Sequence, residues 1–140
     1  MRYLLSDRLR PVSEENRVSG NGGIVDLISP EECLTRYSGL PHFSLLQRCL
    51  PTRRLEYCRA ELVNGCVIGT LVIPNKENPA RDMLSVGYYM TREQLILVDS
   101  ERHLPVLQRI AEQIPLALPI TVVYFFLDFL EYLIQDDMLY

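Results

Sequence analysis

The chain has 140 residues, 48% of them hydrophobic and 23% charged, with a formal charge of −4. This composition excludes intrinsic disorder, which needs less apolar content or more net charge. It also excludes a broad basic field for sequence-independent nucleic-acid binding. The length fits a single domain, residues 1–140, with a sizeable core.

Tyr3–Ser6 reads as a short strand, and Pro11–Gly23, rich in Gly, Asn and Ser, as a loop. Gly23–Leu27 reads as a buried strand. Ser29-Pro30-Glu31-Glu32 opens a helix: Ser29 caps, Pro30 takes the first helical position, and Glu32 closes a capping box. That helix is expected to end near Gly39. Pro41–Leu50 predicts a second short helix with Phe43, Leu46 and Leu50 on one face, stopped by Pro51.

The middle of the chain changes to strand character. Leu55–Val63 and Cys66–Ile73 flank Asn64-Gly65, a pair that tolerates positive φ and predicts a hairpin. Pro74–Arg81 is a polar loop. Met83–Met90 and Gln94–Val98 predict a second hairpin around Thr91-Arg92-Glu93. Leu95-Ile96-Leu97-Val98 is apolar on both sides and belongs inside a covered sheet.

Helical spacing returns after Ser100. Leu104, Leu107 and Ile110 define one face of a short helix over His103–Ile114. Pro119–Tyr140 predicts a long helix. Its polar residues Thr121, Tyr124, Asp128, Glu131 and Gln135 recur every three or four positions, as one narrow stripe on an otherwise buried rod. Asp136-Asp137-Met138-Leu139-Tyr140 has no glycine, proline or basic last turn, so the helix is expected to continue past this sequence. The fold class expected is α/β: a mixed sheet flanked by helices, ending in a long truncated helix.

Leu116–Ile134 raises the question of a membrane span, with 12 Leu, Ile, Val and Phe among 19 residues. Those residues contribute roughly −4 to −7 kcal/mol to insertion, and Asp128 with Glu131 oppose it by up to about 5–7 kcal/mol. The balance favours a buried helix of a soluble domain. Met1–Arg10 carries three arginines and no apolar run, so no secretory leader is expected. Cys33, Cys49, Cys58 and Cys66 form no C-x-x-C pair, and His42 and His103 are far apart in sequence. This argues against structural zinc and for free, mostly buried thiols in a reducing compartment.

No catalytic constellation emerges. Gly20-Asn21-Gly22-Gly23 precedes a strand and lacks the Lys-Ser/Thr of a phosphate loop. Cys49 and His42 are about two helical turns apart on one segment, too far for direct contact. Arg53-Arg54 reads as a solvated strand end. An enzyme is therefore not expected. A small thiol enzyme using Cys49 or Cys66 and a free-standing cytosolic homo-oligomerising module stand as alternatives.

Several residues, in order, resemble the cytoplasmic N-terminal domain of CorA-type magnesium and divalent cation transporters, from about Ile24 to Tyr140. Gly39-Leu40-Pro41-His42-Phe43-Ser44-Leu45-Leu46 is similar to the family's Gly-hydrophobic-His-Pro followed by a leucine-rich helix. Arg53-Arg54-Leu55-Glu56-Tyr57 is similar to its Arg-Pro-Lys-Leu-Glu-x-Tyr. Met83–Met90, Gln94–Asp99 and His103–Ile114 match its strand–strand–helix order. Val123-Tyr124-Phe125-Phe126-Leu127-Asp128-Phe129-Leu130-Glu131-Tyr132 looks like the segment that leads toward its membrane helices.

The resemblance implies a regulatory and assembly domain on the cytoplasmic side of the membrane. It would form a homo-oligomer, pentameric in the full-length family, joined to the membrane through helices absent from this sequence, with 119–140 as the root of a stalk. The family's pore motif Gly-Met-Asn is also absent from this sequence. No resident cofactor is implied beyond Mg2+ or another divalent cation held by acids between protomers. Asp128 matches one family acid, whereas Gln47 and Arg48 stand where two others are expected. Arg48 is thus expected to replace the regulatory metal by a direct salt bridge.

Overall fold

A computed structural model describes residues 1–5, 9–12, 23–50, 58–73, 84–115 and 121–135. Among these residues seven strands and four helices follow in the order β1 Arg2–Leu5, β2 Leu9–Val12, β3 Gly23–Ile28, α1 Pro30–Tyr37, α2 Phe43–Cys49, β4 Arg59–Val63, β5 Cys66–Ile73, β6 Leu84–Met90, β7 Gln94–Val98, α3 Leu104–Gln113 and α4 Val122–Gln135. The strands form one mixed sheet in the order β2-β1-β3-β7-β6-β5-β4. Among the described residues only the β3–β7 pairing is parallel, with Ile24 beside Gln94 and Ile28 beside Val98.

Both faces of the sheet are covered, and the two-residue period of each strand divides the core. Leu95 and Leu97 join Val86, Tyr88, Val25, Leu27, Tyr3 and Leu5 beneath α3 and α4. Ile96 and Val98 join Tyr89, Ile68, Cys66 and Ile28 beneath α1 and α2. The α/β expectation thus holds as helices on both faces of a sheet. β7 is apolar on both sides because it lies inside both halves of the core.

Local chemistry explains the element ends. Ser29 Oγ accepts the Glu32 amide at 3.2 Å, with Pro30 opening α1. Asn64 and Gly65 take φ of 47° and 82°, joining β4 to β5 with Val63 beside Cys66. At Gly87 a Cβ would lie 2.9 Å from the Cys49 carbonyl oxygen, so glycine lets the end of α2 rest directly on β6.

Three expectations change. Pro11 and Val12 are not loop but belong to β2, an edge strand where proline lacks only an outward-facing donor. The last helix begins at Val122 rather than Pro119, because Thr121 Oγ1 caps it by accepting the Tyr124 amide at 3.2 Å. The narrow polar stripe on an otherwise buried rod is also corrected. Val122, Phe125, Phe126, Phe129 and Leu133 are buried, but Val123, Leu127 and Ile134 are 45%, 54% and 56% exposed. α4 therefore has two apolar stripes, and its sheet-facing side takes only one. Residues 116–120 and 136–140, which hold both ends of the predicted stalk root 119–140, lie outside the described residues, as do Arg53-Arg54-Leu55-Glu56-Tyr57 and Gly20-Asn21-Gly22. No described helix is long and apolar enough to cross a membrane.

Candidate functional site

The residues singled out by the resemblance lie on different layers. Asp128 is exposed on α4, its side chain with no hydrogen bond or ion pair to any described residue. Gln47 and Arg48 are exposed on α2. Since α2 and α4 cover opposite faces of the sheet, an Arg48–Asp128 pairing is not made within one chain. Among the described residues, no three His, Cys, Asp or Glu side chains converge in a way that would hold a metal ion.

The thiols are arranged for packing. Cys33, Cys49 and Cys66 are buried and free, and Cys58 is exposed. Burial pushes the Cys49 thiol above its ordinary range, the reverse of what an attacking thiolate requires. Its carbonyl accepts from Thr70 Oγ1 at 2.8 Å. Cys66 Sγ lies 3.3 Å from the Tyr89 hydroxyl, whereas His42 faces Asn64 across 3.4 Å. The structure does not bring Cys49 and His42 together.

Two buried polar clusters escaped the sequence reading. In the first, Arg2 Nε donates to Asp26 Oδ1 at 2.9 Å and Arg2 Nη2 to Asp26 Oδ2 at 3.3 Å. The Tyr37 hydroxyl also donates to Asp26 Oδ2 and accepts from Arg2 Nη2 at 2.9 Å and Gln94 Nε2 at 3.4 Å. The hydrogen bond to Asp26 pushes the Arg2 guanidinium upward against the opposing effect of burial. Burial, then the bond to Asp26, pushes the Tyr37 phenol up to about 12. The signal was an acid inside the apolar run Gly23-Ile24-Val25-Asp26-Leu27-Ile28, since a buried carboxylate needs a partner.

The second cluster lies where β7 passes into α3. Asp99 is 2% exposed. Its Oδ1 accepts the Ser100 amide at 2.6 Å and lies 3.3 Å from His103 Nδ1, while Oδ2 has no hydrogen-bond partner among the described residues. Burial pushes this carboxyl up to about 6, with His103 pulling the other way. The folded chain holds the Asp99 proton more tightly than the unfolded chain, whose carboxyl titrates near 3.9. The group's contribution to stability is therefore full below about pH 4 and is lost as pH rises through about 6, a span of order 2–3 kcal/mol. Asp99→Asn is expected to match the parent near pH 4 and exceed it at pH 7.5 in urea midpoints. An unchanged pH slope in the variant would remove Asp99 as its source.

No protein-family model matches the chain, and no curated protein matches it. Among solved structures, that of the full-length CmaX protein is similar, with a TM-score of 0.62 and 17% sequence identity over 94% of this chain and 44% of that one. The likeness is one of fold: this α/β/α arrangement spans less than half the length of the solved protein it matches.

Proposed function

We propose that the chain is the regulatory and assembly domain of a CorA-like divalent cation transporter. The observation that carries this reading is the order of elements. The order α1, α2, β6, β7, α3, α4, with the β4–β5 hairpin between α2 and β6, follows the helix–helix, strand–strand–helix and long-helix order that the resemblance leads one to expect. The presence of a similar fold as a minor part of a longer solved protein adds support. The direct test is divalent cation uptake by cells expressing the whole gene product. Uptake of Mg2+, Co2+, Ni2+ or Zn2+ above background supports the reading, and none for any of the four refutes it.

In this reading Arg48 fills a position where a regulatory site would place an acid. A hard cation wants oxygen ligands, and a guanidinium beside them repels it. Arg48 and Asp128 then meet only across neighbouring copies. Arg48→Asp is expected to tighten Mg2+ binding about ten-fold or more in isothermal titration. An unchanged affinity counts against a regulatory site at this position.

A further inference from the structure

Val123, Leu127, Leu130 and Ile134 are spaced four, three and four residues apart. At about 100° per residue they form one continuous line about 16 Å long on the side of α4. Leu130 is half-buried, its inner side packed against the core beneath α4, while the other three are the exposed residues described above. Single exposed apolar residues are ordinary, but an unbroken line at this spacing is the seam a second helix packs into.

Charge narrows the choice of occupant. Glu131 abuts the seam, next to Leu127 and Ile134 on the helix surface, and Asp128 follows it further round. Val122–Gln135 contains no Lys or Arg. An antiparallel pairing of two α4 helices sets the acidic edge of each against that of the other. A parallel pairing sets that edge against the partner's side where Phe126 and Leu133 enter the core. Both disfavour a second copy, and the acidic edge also disfavours an anionic lipid surface. We propose that this stripe docks a basic amphipathic helix, with Leu or Ile at three- and four-residue spacing and Lys or Arg along the edge that meets Glu131. The inference rests on exposure and charge alone and stands apart from the transporter reading.

The test uses two synthetic helical peptides about 21 residues long with one shared Leu/Ile seam, flanked by Lys in one and by Glu in the other. Fluorescence anisotropy with the full chain is expected to show the Lys peptide bound about ten-fold tighter, with a preference that weakens in salt. Glu131→Lys should reverse the preference. Leu127→Glu should abolish binding of both peptides while leaving the thermal midpoint unchanged. Asp128 is left intact, so a failure here does not bear on Mg2+ binding. Binding of neither peptide, equal binding of both, or an unchanged preference in Glu131→Lys overturns the inference. So does a dimer in sedimentation that Leu127→Glu dissolves, or co-flotation with phosphatidylglycerol vesicles.

Discussion

Asp26→Ala is expected to lower folding stability by about 3–5 kcal/mol, which for a domain of this size moves the thermal midpoint by roughly 10–20 °C. Asp26 is fully buried on the interior strand β3 and accepts from Arg2 of β1 and Tyr37 of α1. Three elements thus share one carboxylate. Removing it leaves a guanidinium only 13% exposed with neither oxygen, and the Tyr37 hydroxyl without its acceptor. A buried guanidinium that loses its carboxylate costs more than the pair contributes when intact. Pairing Asp26→Leu with Arg2→Met is therefore expected to recover much of the loss, since both charges then leave the interior together. Urea unfolding of Asp26→Leu, Arg2→Met and the double variant measures the difference. Simple addition of the single losses would show that the two residues act independently.

Much of this fold was legible because the signals were local. The Ser29 cap and the Asn64-Gly65 turn each depend on a few neighbouring residues and were placed correctly. What was not legible depends on contacts between residues far apart in sequence. Asp26 meets Arg2 across 24 positions and Tyr37 across 11. Pro11 looked like loop because its missing N–H is harmless only at a sheet edge, and β2 lies at the edge only after the strands are ordered. The candidate site divides in the same way. The resemblance points to Asp128 and Arg48 one by one, but that the sheet stands between α4 and α2 within one chain is visible only once the strands are ordered.

Phe129 and Leu127 are both large apolar residues of α4, two positions apart, and substitution by alanine is expected to separate their roles. Phe129 is fully buried in the core between α4 and the sheet, with its ring centroid 6.4 Å from that of Phe125. Phe129→Ala removes that contact and leaves a void that close-packed neighbours fill only in part, for a loss of about 3–5 kcal/mol. Leu127 lies on the outer stripe, more than half exposed. Leu127→Ala is expected to change stability by no more than about 0.5 kcal/mol. Periodicity alone treats the two alike, because both sit on an apolar stripe of one helix; only the position of the sheet tells them apart. Thermal and urea unfolding of both variants measures the split. A loss at Leu127 approaching that at Phe129 would mean that the outer stripe is already covered within the folded chain, and the docking surface would fall with it.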